Sequence, residues 1–349
     1  MSFPATRLRR LRQNQSFRKL VRETSLSVDD LILPLFVVPG QGVKEEISSL
    51  PENYHLSIDC LIEEAKKVYD LGISAILLFG VPDRSDKDEH ASGAYSPDGL
   101  VQRALRALKS AVPELLVITD VCLCEYTPHG HCGVLKDGYL VNDPSLELLA
   151  KTAVSHAEAG SDMVAPAAML DGQIHTLRQA LDQNGFLNLP IMAYSAKYAS
   201  KLYDPFFHDG TQSALMKGDK RTHQMPISNS DEAMREIALD VEEGADIIIV
   251  KPGLFCLDIV YRAKQQFHMP IATYNVSGVY AMIDAAARLG RLNRDAIFFE
   301  ALASMKRAGA DIIITYAAKR AAKCLQGARS SATPLERETD LEPAMEPRL

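Results

Sequence analysis

Short apolar runs rich in β-branched residues recur along this chain, separated by longer amphipathic stretches. They are LILPLFVV from 31, ISAILLFG from 73, LLVITDV from 115, DMVAPA from 162, PIMAYSA from 190, ADIIIVKP from 245, PIATYNV from 270 and ADIIITY from 310. Nearly every position in them is apolar, where a half-exposed strand would alternate, so they read as strands buried on both faces of a parallel sheet. The stretches between, such as SIDCLIEEAKKVYDLG and SNSDEAMREIALDVEEGAD, carry helical spacing with Ser or Asp near the start and Gly at the end. Strand and helix alternate throughout. Three strand entries share one local pattern, Gly160-Ser161-Asp162, Gly244-Ala245-Asp246 and Gly309-Ala310-Asp311. Glycine suits the residue after a helix, where φ turns positive, and the chain must then enter the next strand at once. Eight such strands with recurrent loops predict a single (β/α)8 barrel of the TIM type over residues 26–326, in preference to a doubly wound sheet.

Two segments fall outside the repeat. Residues 1–25 hold Arg7, Arg9, Arg10, Arg12, Arg18, Lys19 and Arg22 before the first acidic residue, Glu23. This extended basic arm in an acidic protein is either a frayed terminus or a contact for a neighbouring subunit. Residues 327–349, polar and proline-bearing, have the composition of a disordered tail. The net charge of -7 and pI near 5.8 argue against a partner bound through its phosphates, so no nucleic acid is expected. No apolar stretch approaches the roughly 18 residues that cross a bilayer, and charges stand where a secretory signal would be apolar. Neither a membrane nor export is expected, and the cytoplasm is the expected compartment.

There, clustered cysteines indicate metal binding or catalysis in preference to disulfides. Of the six cysteines, Cys60, Cys256 and Cys324 stand singly and read as small buried hydrophobes, whereas Cys122, Cys124 and Cys132 gather in DVCLCEYTPHGHCG. That run ends the third strand and forms the loop after it, the end at which barrels carry active sites. Three thiolates on one ion leave a fourth tetrahedral position open, as in catalytic zinc sites. His129 and His131 are also available to close it. Two lysines, Lys197 and Lys251, end consecutive strands five and six. A lone lysine there would read as half of a salt bridge. Two together, in a partly apolar cavity beside a metal, disfavour the ammonium form and leave neutral amine to attack a carbonyl. Pro252 holds Lys251 in extended backbone at the barrel mouth. Before any comparison, the site therefore reads as Schiff-base carbonyl chemistry assisted by a metal.

In order and spacing, the runs DVCLCEYTPHGHCG, SAKYAS, VKPG, VSGVYAM and SMKRAGADIIITY resemble the porphobilinogen synthase (5-aminolevulinate dehydratase) family from about residue 5 to 325. The resemblance implies a homo-octamer that condenses two molecules of 5-aminolevulinate to porphobilinogen with loss of two waters, in tetrapyrrole biosynthesis. It implies that Lys251 forms the Schiff base with the first substrate and Lys197 with the second, and that Cys122, Cys124 and Cys132 hold a catalytic zinc. It further makes Asp120 the active-site aspartate, and Ser277 and Tyr316 the residues that hold the first substrate's carboxylate. Glu236 matches a glutamate that binds an allosteric magnesium in some bacterial members, though a plain helix-surface glutamate is the simpler alternative.

Four positions depart from the family pattern. Phe207 and Lys220 stand where arginines are usual, Ala167 where serine is and His223 where tyrosine is, all on the second-substrate side. Lys220 or Arg221 still offers a positive charge for the second carboxylate, but an ammonium lacks the two-pronged geometry of a guanidinium. The rival readings are a paralogue using the same chemistry on a different amino-ketone, and a non-catalytic scaffold. The second has no use for costly groups at a barrel mouth.

Overall fold

The computed structural model describes residues 2–203, 210–213 and 220–327. Its centre is a ring of eight parallel strands: β1 (Leu31–Val37), β2 (Ala75–Gly80), β3 (Leu116–Val121), β4 (Met163–Pro166), β5 (Met192–Lys197), β6 (Ile247–Lys251), β7 (Ile271–Asn275) and β8 (Ile312–Thr315). Each pairs with its sequence neighbours, and β1 pairs with both β2 and β8. Between β4 and β5 the ladder thins to one bridge, Val164 with Ile191, where Val164 N donates to Pro190 O at 3.1 Å. All eight apolar runs are thus strands of one nearly closed barrel, and the solid burial of β1, β2, β5 and β7 explains why those runs do not alternate.

Helices α1 (Ile58–Asp70), α2 (Leu100–Ala111), α3 (Asn142–Glu158), α4 (Gln173–Gln183), α5 (Ser230–Glu243), α6 (Leu257–Phe267), α7 (Ser277–Arg288), α8 (Arg294–Ala308) and α9 (Ala318–Gly327) lie outside it. Each turns an apolar stripe inward, as Leu61, Ala65 and Val68 do on α1. No helix among the described residues is long and apolar enough to cross a membrane. In the arm, a 3₁₀ turn (Leu8–Arg12) and a short helix (Gln15–Leu20) bury none of their residues. Residues 328–349 of the polar tail lie outside the described residues, as does Phe207.

The Gly-x-Asp repeat has a structural cause. Gly160, Gly244 and Gly309 take φ of +99°, +105° and +117°, ending helices in the left-handed region. The aspartate two residues later reaches back to the preceding strand. Asp162 accepts from Val117 N at 2.7 Å, Asp246 from Ile191 N at 2.8 Å and Asp311 from Ile271 N at 2.8 Å. The even strands β4, β6 and β8 are therefore stapled at their entries to the odd strands β3, β5 and β7. In two staples a lysine from the helix before the odd strand completes the pair, Lys109 with Asp162 at 2.9 Å and Lys264 with Asp311 at 2.7 Å. These bonds lie at the opposite end of the barrel from the chemistry and fix strand register there.

Removing Asp162 leaves Val117 N–H without its side-chain acceptor and takes the carboxylate from Lys109, which keeps only the carbonyls of Pro113 and Leu115. Asp162→Ala should therefore lower unfolding free energy by about 1–3 kcal/mol, read as a lower urea midpoint at unchanged slope. An unchanged midpoint would show that the staple contributes nothing.

Candidate active site and metal centre

The site forms at the carboxyl ends of β3 to β8. Lys197 and Lys251 are register partners across β5 and β6, so their side chains leave neighbouring strands at one level. Both are buried. Lys197 Nζ donates to the carbonyl of Ala167, just past the end of β4. Lys251 Nζ stands 4.4 Å from the ring centre of Tyr274, 4.8 Å from that of Tyr203 and 5.3 Å from that of Tyr194. The rings displace the water that would hydrate an ammonium. Burial, with the positive charge of Lys197 added, pushes the Lys251 amine down to about 7, against the opposing pull of Asp120.

Asp120, near the end of β3, faces both lysines and is half-buried. Burial raises its pKa well above the ordinary carboxyl range; repulsion from Glu125 adds to this, and the two lysines oppose it. A narrow cavity opens over Lys251, lined by Ser277, Tyr316, Tyr274, Tyr203, Phe36 and Phe79 among others. The Tyr274 and Tyr316 hydroxyls are 3.0 Å apart at its wall. Lys251, Ser277 and Tyr316 thus meet around one space, while Lys197 stands on the β4 side of it.

Next to Asp120, the strand ends and the chain folds Cys132 back onto Cys122 and Cys124. All three are buried, with sulfurs within 4.8 Å of one another, and the Cys122 and Cys124 sulfurs are 3.0 Å apart. Three adjacent thiols cannot all ionise without a cation. Contacts from Cys122 and Cys124 hold Cys132 well below the usual thiol range. Cys124 is raised by burial and by its two thiol neighbours; Cys122 is raised as well, because its contact with Cys132 and its burial outweigh a favourable contact with Cys124. A buried set of soft donors that favours one thiolate and resists more fits a divalent ion of the zinc class, whose charge would release the other protons.

Glu125 was not singled out by its sequence position. It is buried beside this cluster and accepts from Cys124 Sγ at 3.2 Å. With Asp120 and Cys122 it forms a second group of ligand atoms within 4.8 Å. The only sequence signal was a charged residue directly after the CxC pair. The tyrosine cage was equally unannounced, since Tyr194, Tyr203 and Tyr274 come from different elements.

Neither His129 nor His131 enters the three-thiol group among the described residues. His129 Nδ1 accepts from His131 N at 3.1 Å, and His129 Nε2 lies 3.7 Å from Glu89. Lys220 is turned towards the thiols: burial would lower its pKa, but Cys132, Cys124, Cys122 and Glu125 raise it above the usual range. Arg221 is exposed. Glu236 sits half-buried on α5, far from this cluster in its contacts. Burial raises its pKa, and so do Asp171, Glu232 and Glu243. It joins no group of three potential metal ligands among the described residues.

Known proteins match this chain along almost its whole length. The family model described as "Delta-aminolevulinic acid dehydratase" matches residues 5–324. A Synechococcus elongatus protein of that name is 55% identical over 327 residues, covering 93% of this chain and 99% of its own. The Bacillus subtilis one is 49% identical over 325 residues, with the same coverage. The crystal structure of delta-aminolevulinic acid dehydratase (porphobilinogen synthase) from Toxoplasma gondii ME49, in complex with the reaction product porphobilinogen, superposes with a TM-score of 0.89 at 43% identity and covers 91% of each chain. A buried lysine pair beside a thiol triad, on a barrel that matches these proteins from end to end, makes this chain a member of the delta-aminolevulinic acid dehydratase family.

Proposed function

We propose that this enzyme condenses two molecules of 5-aminolevulinate into porphobilinogen with loss of two waters, in tetrapyrrole synthesis. The observation that carries the reading is the placement of Lys251 and Lys197 at one level on adjacent strands, where burial and the neighbouring charge push the Lys251 amine down to about 7 and leave a large share of it unprotonated near neutral pH. A neutral amine adds to a ketone, and loss of water gives an iminium that acidifies the neighbouring carbon. Lys251 takes the substrate that fills the cavity, where Ser277 and the Tyr316 hydroxyl meet its carboxylate. Lys197, anchored on the Ala167 carbonyl, takes the second. Asp120, which feels the charge of both lysines and is inclined to hold a proton, gives and recovers the proton that each dehydration moves. Deprotonation of one iminium gives the enamine that forms the carbon–carbon bond. Both lysines return to free amines when the ring closes and the product leaves.

Cys122, Cys124 and Cys132 would hold zinc, which supplies Lewis acidity at a position open to substrate. Three reduced thiols suit a cytoplasmic enzyme. The arm, residues 1–25, exposes Phe3, Leu8 and Leu20 by 73%, 76% and 79%, which supports its use as a contact in a homo-octamer. Glu236, pushed towards protonation by a crowd of carboxylates, would gain from a magnesium ion there. Lys220 and Arg221 serve the second carboxylate, with Lys220 shared between that role and the thiol cluster.

Incubation with 5-aminolevulinate and zinc should yield porphobilinogen. Failure at saturating substrate would leave the paralogue that acts on another amino-ketone. Borohydride reduction in the presence of 5-aminolevulinate should place an adduct on the peptide carrying Lys251. An unmodified peptide at saturation would remove that residue from the covalent role. Stripping the metal, or substituting Cys124→Ala, should lower turnover by at least about a hundredfold, because the Lewis acid supplies several kcal/mol. Full activity at verified zero metal would remove metal from the mechanism.

A further inference from the structure

The segment just before α5 returns to the active site by backbone pairing. Met225 N donates to Lys197 O at 3.1 Å, and Ala199 N donates to Met225 O at 2.8 Å. Gln224 N and His223 N both donate to Lys220 O, at 2.9 and 3.3 Å, which makes a tight turn. The Tyr203 hydroxyl meets the Gln224 side chain at 3.1 Å. His223 therefore sits two residues before the strand-like contact of Met225 with the end of β5, and its imidazole lies near Cys132. Its Nδ1 is 3.2 Å from Thr222 Oγ1. Its Nε2 is buried and makes no hydrogen bond among the described residues.

A buried ring nitrogen without a partner carries a desolvation cost unless something fills it. If Nδ1 donates to Thr222, Nε2 carries the lone pair, which is the tautomer that ligates metals, with an oxygen orienting the far side of the ring. Among the described residues the three thiols have no fourth protein donor in their group, and neither His129 nor His131 supplies it.

We propose that His223 Nε2 is the fourth ligand of the metal held by Cys122, Cys124 and Cys132 in the substrate-free enzyme, and that substrate displaces it. The inference rests on the metal reading above and adds a residue to it. Nε2 lies outside the 4.8 Å group that the sulfurs form, so ligation requires the ring to close towards Cys122 and Cys124. Because the same turn carries Lys220, closure of the metal's coordination and presentation of that ammonium are mechanically linked. A site closed at rest by three thiolates and an imidazole would bind its ion more tightly than one built from the three thiolates alone. It would open only when an amine or water competes for the fourth position.

The test uses the full-length protein loaded with Co(II), whose visible bands report coordination number and donor type, and with zinc in competition against a chelator of known affinity. Wild-type protein should show four-coordinate bands that shift on addition of 5-aminolevulinate. His223→Ala should bind zinc about tenfold or more weakly, with resting bands already shifted as water replaces nitrogen. His223→Gln, which keeps a neutral polar side chain, controls for loss of packing, and the apo proteins should melt alike. Equal zinc affinity and superimposable Co(II) spectra in wild type and both variants would overturn the proposal. If wild-type protein bound neither ion, the metal reading itself would fall; a metal that binds but ignores residue 223 removes only the histidine.

Discussion

Two primary amines buried side by side repel each other's charge, and the rest of this site is arranged around that constraint. Lys197 and Lys251 leave adjacent strands at the same register. One is held by a main-chain carbonyl, the other by three aromatic rings. The rings do not replace the hydration of the Lys251 ammonium. Ring faces do attract cations, but here the loss of water and the neighbouring charge win, and Lys251 titrates near neutrality. The same crowding acts with opposite sign on Asp120 and Glu125, which burial drives towards their protonated forms. The site therefore favours protons on these two carboxyls and disfavours one on Lys251, the inverse of what water would do. That inversion suits carbonyl condensation, which needs nucleophilic nitrogen and available protons in one place.

The barrel makes the constraint sustainable. Its entry end is held by the aspartate staples between odd and even strands, remote from the reactive groups. Its exit end is free to carry groups that cost stability. The chain between β5 and α5 is tied in at a few points, among them Met225 on Lys197 and His55 Nε2 on the Gly210 carbonyl at 2.6 Å. Close packing enters as well: a Cβ on Gly278 would meet the Leu202 carbonyl oxygen at 2.0 Å, so only glycine lets α7 start there. That contact sets the approach of the 198–203 segment, and with it the Tyr203 ring over Lys251.

Much of this was legible in the sequence because it depends on local order. Strands buried on both faces must be apolar throughout, so all eight announced themselves. Lysine after such a run is conspicuous, as are three cysteines packed between positions 122 and 132. The repeat Gly-x-Asp marked the strand entries, but not that each aspartate bonds to the strand before it, since the partners Val117, Ile191 and Ile271 lie 45, 55 and 40 residues away. The tyrosine cage and the Ala167 carbonyl were hidden for the same reason. A side chain's environment comes from elements the chain reaches much later, and a carbonyl acceptor has no residue signature. Lys220 resembles a substrate ligand by position, and the thiols and Glu125 also act on its charge. Among the described residues Glu236 shares no ligand group with the active site, so the reading of it as a magnesium ligand rests on its family position and on the carboxylates around it.

The central claim is that burial beside a second lysine lowers the Lys251 amine to about 7, so that much of it is unprotonated at physiological pH. Heteronuclear NMR titration of lysine-labelled protein, with Lys251→Met to assign the signal, measures this directly. The account predicts an amine that titrates near 7, and one that moves upward in Lys197→Met as the like charge is removed. A Lys251 signal that titrates near the ordinary 10.5 and ignores Lys197→Met would contradict it.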